Sequence, residues 1–191
     1  MIVVVTGPVR SGKSARAAHI ARGFGVPIIY VATARVDATD AEMVDRVARH
    51  RAERADMTTF ELWNAGAPDL PAVVARASVG TTLLIDSVGT WVAGHLLDLE
   101  RLAERDPLAA ADALEERTLP FVESVGAIRA NAVIVAEEAG WGLVPPSILG
   151  RLFRDALGRL VAKLARRADR FELVVAGYAL DLKALGVPVG T

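Results

Sequence analysis

Gly7-Pro8-Val9-Arg10-Ser11-Gly12-Lys13-Ser14 carries two glycines, a lysine and a serine at the spacing G-x-x-x-x-G-K-[ST]. Each type has a task in binding a triphosphate. Glycines let successive backbone N–H groups turn inward around phosphate oxygens, and a following helix N-terminus adds partial positive charge. The Lys13 amine reaches β- and γ-phosphates, and the Ser14 hydroxyl ligates Mg²⁺. A chance glycine-rich turn would lack the context seen here, with an apolar strand before it and an alanine-rich helix after it. A second acid completes such a site. Thr81-Thr-Leu-Leu-Ile-Asp86 is an apolar run ending in a carboxylate, the Walker-B pattern. Asp86 either holds Mg²⁺, directly or through water, or caps the helix that follows.

A third cluster lies between these two. Tyr30-Val-Ala-Thr33-Ala34-Arg35 reads as a strand with a polar exit. Beyond it, Thr39 or Asp40 can cap a helix over 40–54, with acids in its first turn and Arg49, Arg51 and Arg54 near its end. Met43, Val47, His50 and Arg54 follow at steps of four, three and four, so they share one face. From periodicity alone His50 reads as a packed or helix-end residue. A neutral imidazole is also a competent nucleophile near neutral pH.

The elements that must position these groups follow from the apolar pattern. Short runs at Ile2–Val5, Pro27–Ala32, Thr81–Ile85, Ala132–Ala136 and Glu172–Ala176 are apolar on both faces, as buried parallel strands are. A sixth strand is expected at 59–63. Helices are expected at 13–23, 40–54, 68–77, 88–102, 107–129 and 146–168, with Glu104-Arg-Asp-Pro107 breaking two of them. The tail from Gly177 shows no pattern. Alternation of this kind predicts an α/β fold with a mostly parallel central sheet flanked by helices, and with the Gly7–Ser14 loop it is expected to be of the P-loop NTPase (RecA-like) type, in one domain over 1–191.

Composition narrows the function. Net charge is -1 and aromatic content 5%, which argues against nucleic acid as a ligand. There is no cysteine, so thiolate metal sites and cysteine nucleophiles are excluded. Met1–Thr6 lacks a basic n-region, and no apolar run reaches the roughly 18 residues of a membrane span. A cytoplasmic protein is expected.

Several segments together resemble the adenosylcobinamide kinase / adenosylcobinamide-phosphate guanylyltransferase family of cobalamin biosynthesis. They are TGPVRSGKS, YVATA, the helix pattern D-x-E-M-x-x-R-V-x-x-H-R-x-x-R, Glu137-Glu-Ala-Gly-Trp-Gly-Leu-Val-Pro145 and Arg151-Leu-Phe-Arg-Asp-Ala-Leu-Gly158. The resemblance implies two reactions. One phosphorylates the hydroxyl on the aminopropanol arm of adenosylcobinamide. The other transfers GMP from GTP to that phosphate. It makes His50 the guanylylated residue and, with Lys13, catalytic. Nucleotide contacts map onto Gly7, Pro8, Val9, Arg10, Ser11, Gly12, Lys13 and Ser14. Further contacts map onto Thr33, Ala34, Arg35, Arg51, Ala52, Glu53, Arg54, Glu61 and Asp86. GTP or ATP with Mg²⁺, a corrinoid substrate and a homo-oligomer, a trimer in the family, come with it. This chain departs from the pattern in three places. Glu137 stands where asparagine is usual. The stretch from Arg54 to Glu61 lacks a proline and a tryptophan and is one residue short. Val161 stands at an expected asparagine.

Other residues carry alternatives. Glu137 and Glu138 end a strand, as a base or metal ligands would, or serve as a cap and a solvated charge. Trp141 packs on a corrin or a base, or fills the core. His19, His95, Arg154 and Asp155 read as structural. Two other functions fit the phosphate loop: a small-molecule kinase without guanylyl transfer, and a RecA-like ATPase or nucleotide-switched binding module.

Overall fold

The computed structural model describes residues 1–35, 39, 45, 47, 48, 52 and 54–189. Its strands are β1 (Ile2–Gly7), β2 (Ile28–Ala32), β3 (Thr58–Glu61), β4 (Thr82–Asp86), β5 (Asn131–Glu137), β6 (Arg170–Val175) and β7 (Tyr178–Asp181). They form one sheet in the order β3-β2-β4-β5-β1-β6-β7. The first six of these are parallel, and β7 runs antiparallel to β6.

Period-two alternation along the strands divides the core between the two faces of the sheet. Val3, Val5, Leu84, Val133 and Val135 pack with Ala17 and Ala21 of α1 (Lys13–Gly23) on one side. Val4, Leu83, Ile85 and Ile134 pack on the other. That second layer holds α2 (Leu70–Ala75), α3 (Val88–Asp98), α4 (Glu100–Arg105), α5 (Pro107–Gly126) and α6 (Ile148–Arg167). Leu157, Leu160, Val161 and Leu164 of α6 recur at helical spacing and are buried there. Each buried aliphatic side chain of this kind contributes roughly 1.5–3 kcal/mol.

Several expectations shift at the boundaries. The segment expected as one helix over 88–102 is two, because Leu99 leaves helical geometry between α3 and α4. Asp106 caps α5 with Pro107 in its first turn, as the sequence suggests. The sixth strand is present, at Thr58–Glu61. The tail, which shows no pattern in sequence, forms β7 and the short helix α7 (Leu182–Leu185). Among the described residues no helix is long and apolar enough to cross a membrane.

The topology sets the place of the site. From β1 the chain crosses to β2 over one face with α1, and from β5 it returns past β1 to β6 over the other with α6. Crossovers that part on either side of β1 leave a crevice at the carboxyl ends of the strands. Gly7, Ala32, Asp86 and Glu137 end their strands on that edge.

Candidate active site

The turn after β1 is built to expose its backbone donors. Gly12 caps α1 at φ 97°, a left-handed conformation that glycine adopts without strain, and Arg10 is left-handed at φ 58°. A Cβ on Gly7 would collide with the Val174 carbonyl oxygen. Neighbouring strands brace the loop. Glu138 N–H donates to Gly7 O at 3.1 Å from β5, and Gly177 N–H donates to Ser11 O at 2.9 Å from the β6–β7 turn. The Lys13 ammonium lies over the loop and donates to Pro8 O at 3.5 Å. Pro8, Val9, Arg10 and Ser11 form the tip, with Ser11 buried and the other three open or half-open to solvent.

Asp86 joins this turn to the next strand end. Its Oδ1 accepts from the Ser14 hydroxyl at 3.3 Å. Its Oδ2 accepts from Arg54 Nη2 at 2.6 Å. Arg54 is buried, with its guanidinium 4.3 Å over the Tyr30 ring. Its Nη1 is buried with no hydrogen-bond partner among the described residues. Burial pushes the Tyr30 phenol well above its ordinary range, and the Asp86 charge adds to the effect. Ser14 Oγ and Asp86 Oδ1 are hard oxygen donors of the kind Mg²⁺ accepts. Among the described residues no three acidic, histidine or cysteine side chains gather as a metal cage. A nucleotide-bound Mg²⁺ needs only one or two protein ligands besides phosphates and water, so the pair fits.

Asp86 does not cap the helix after it. Ser87 does, in a reciprocal capping box with Thr90. Glu137 holds the same corner from the neighbouring strand. It accepts from the Ser87 hydroxyl and, at 3.0 Å, from Gly89 N–H. A Cβ on Gly89 would overlap this carboxyl group, so the close approach needs glycine. Burial holds Glu137 above the usual carboxylate range; Asp86 pushes the same way, against Ser87 and Lys13. Glu138 is tied by the Thr6 hydroxyl at 2.7 Å.

The remaining candidates sort by position. Thr33 is fully buried; its hydroxyl meets Ser87 O and Thr90 Oγ1, each at 2.7 Å. Ala34 is half-buried beside it. Arg35 is turned to Asp98 in a two-pronged pair at 2.7 Å and stacks 4.0 Å over Trp63. Glu61 ends β3 opposite Ala32. Ala52 is exposed. His50, Arg51 and Glu53 lie outside the described residues, as does most of the helix expected over 40–54.

His19 is exposed, whereas His95 is packed edge-on against Trp63 and Trp91. Burial lowers the His95 pKa. Trp141 is solvent-exposed and fills no core. Arg154 and Asp155 approach to 3.8 Å. Val161, at the position where asparagine is expected, packs in the apolar core of α6. Sequence reasoning missed Ser87, Gly89, Thr90, Tyr30 and the Arg16–Glu172 pair. Only the Ser87-x-x-Thr90 spacing carries a local signal, that of a helix start.

Residues 3–182 match the family described as cobinamide kinase / cobinamide phosphate guanyltransferase. The bifunctional adenosylcobalamin biosynthesis protein CobP of Pseudomonas aeruginosa is 35% identical over 94% of this chain and 96% of its own length. The bifunctional adenosylcobalamin biosynthesis proteins CobU of Salmonella typhimurium and of Escherichia coli are each 32% identical, over 96% of this chain and their entire length.

Proposed function

The chain belongs to the cobinamide kinase / cobinamide phosphate guanyltransferase family and is a transferase, and on that premise we propose that one site performs both transfers, the second through a guanylylated His50. The observation that carries this is the phosphate cradle: Lys13 over the Gly7–Ser14 turn, with Ser14 and Asp86 3.3 Å apart at the carboxyl edge of the sheet.

In the kinase reaction the hydroxyl of the aminopropanol arm attacks the γ-phosphorus of a nucleoside triphosphate. Catalysis here is mostly positioning and charge stabilisation. The loop amides and Lys13 hold the phosphates. Mg²⁺ held by Ser14 and Asp86 neutralises phosphoryl oxygens when bound. In the second reaction a His50 ring nitrogen attacks the α-phosphorus of GTP, forming an N–P bond as the α–β oxygen bridge breaks and pyrophosphate leaves. A phosphate oxygen of cobinamide phosphate then attacks the same phosphorus, and the histidine is regenerated. Arg51, Ala52, Glu53, Arg54, Thr33, Ala34, Arg35 and Glu61 complete the nucleotide site in this reading. The reading also takes the protein as cytoplasmic and of one domain per chain, and the resemblance adds assembly with copies of itself.

Mass spectrometry after exposure to GTP and Mg²⁺ tests the second transfer. A GMP adduct on the peptide containing His50, absent in His50→Asn, is expected. Kinase turnover with no adduct on any residue would refute the guanylylated-histidine route, and no adenosyl-GDP-cobinamide formed besides would leave a small-molecule kinase.

A further inference from the structure

The loop between Glu138 and Ser147 holds three large apolar side chains out into solvent. Trp141 is 60% exposed, Leu143 96% and Val144 63%. Exposed apolar groups gathered on one segment mark a binding surface more often than chance. The two ends of the loop are held in place. Arg151 Nη1 donates to Pro145 O at 3.2 Å and to Pro146 O at 2.7 Å. Ser147 Oγ caps α6 by accepting from Gly150 N–H at 3.1 Å. At the other end Glu138 is fixed to Thr6 and Gly7. Gly140 and Gly142, on either side of Trp141, have open space where side chains would stand, so the indole is not hemmed in by its neighbours.

Its location says what lies near it. β5 is the immediate neighbour of β1. Three residues of chain span at most about 10 Å, so Trp141 lies within that reach of Glu138, whose N–H braces the cradle at Gly7. On the opposite flank of β1, Gly177 binds Ser11, and the next residue, Tyr178, is 82% exposed. An apolar rim thus borders a cradle whose floor is Lys13, Ser14, Asp86 and Glu137. A nucleotide's phosphates suit that floor and gain nothing from the rim. A corrinoid needs the reverse: its hydroxyl arm must reach the phosphates while its broad ring, too large and too apolar for the charged floor, lies outside.

We propose that Trp141, Leu143 and Val144 form the platform on which the corrin ring rests, with Tyr178 at its far side. This rests on the corrinoid reading of the site. The platform fixes affinity and orientation for the corrinoid and leaves nucleotide binding untouched.

Equilibrium dialysis of cobinamide with the full chain and a non-hydrolysable GTP analogue, together with kinase kinetics and sedimentation, tests this. Trp141→Ala should weaken cobinamide binding and raise its KM roughly tenfold or more, the scale of losing one well-packed aromatic contact. KM for GTP, kcat and the sedimenting mass should stay within about twofold, and Trp141→Phe should recover most of the affinity. Unchanged cobinamide affinity in Trp141→Ala, with turnover intact in the wild type, overturns the platform but not the proposed function. A loss that accompanies a change in mass assigns the loop to subunit contact and also overturns it. Cobinamide that binds through Trp141 without being phosphorylated upholds the platform and sinks the kinase reading. A wild type that neither binds nor phosphorylates cobinamide sinks both.

Discussion

Asp86→Asn separates the structural load on this carboxylate from its chemical one. In the folded chain Asp86 is the acceptor for a guanidinium that is 5% exposed, at 2.6 Å. Removing one partner of a buried ion pair costs about 3–5 kcal/mol, mostly because the other charge stays behind uncompensated. Two features reduce the figure. The asparagine oxygen still accepts one hydrogen bond, and the Tyr30 ring lies 4.3 Å under the cation. A loss of about 2–3 kcal/mol remains, or about 5–10 °C in Tm for a chain of this size. Calorimetry at neutral pH without nucleotide reads it directly. Arg54→Met should cost a comparable amount. The double variant should fall short of the sum by about 1–2 kcal/mol, the signature of two side chains that interact. Ligand then adds the second reading. Mg²⁺ and GTP at a hundred times Kd should stabilise the wild type by about 2.7 kcal/mol. In Asp86→Asn most of the Mg²⁺-dependent part should vanish. A Tm within about 1 °C of wild type, or strictly additive variants, would refute the ion pair and the argument built on it.

Lys13→Ala should lower kinase kcat by about a hundredfold or more and abolish most of the thermal shift given by GTP, read by coupled assay and calorimetry. Glu137→Gln tests the burial of that carboxyl group. Its folded-state pKa is raised above the ordinary 4.5, so the folded chain keeps the proton to higher pH than the unfolded one. Wild-type stability should therefore fall as pH climbs from about 4.5 through the folded-state value, and the glutamine variant should show a flatter limb. Parallel urea midpoints for the two proteins across that range would contradict it. Arg16→Ala should destabilise by about 2–3 kcal/mol, because fully buried Glu172 loses bonds at 2.8 and 2.9 Å and keeps, among the described residues, only Arg170. An unchanged Tm would show that Arg170 alone suffices.

The sequence by itself determined the phosphate turn, because its chemistry is local. Strand, glycines, lysine and serine are contiguous from Ile2 to Gly23, and their spacing alone fixes which backbone amides face inward. It also determined the parallel sheet, since strands buried on both faces must be apolar throughout, and it put Asp86 at the end of one. Tertiary structure decided everything that joins distant segments. Arg54 reaches Asp86 across 32 positions and Glu137 reaches Ser87 across 50. Such pairs leave no periodic trace, because a carboxylate at a strand end reads the same whether it meets a metal, a guanidinium or water. Trp141 is the plainest case. Between two glycines it could be read as packing on a ligand or as filling core, and only the folded loop, with its end pinned by Arg151 and Ser147, leaves it in solvent. β7 escaped the sequence for a related reason: its apolar and polar residues pair with β6 only after the turn at Ala176 and Gly177 reverses the chain.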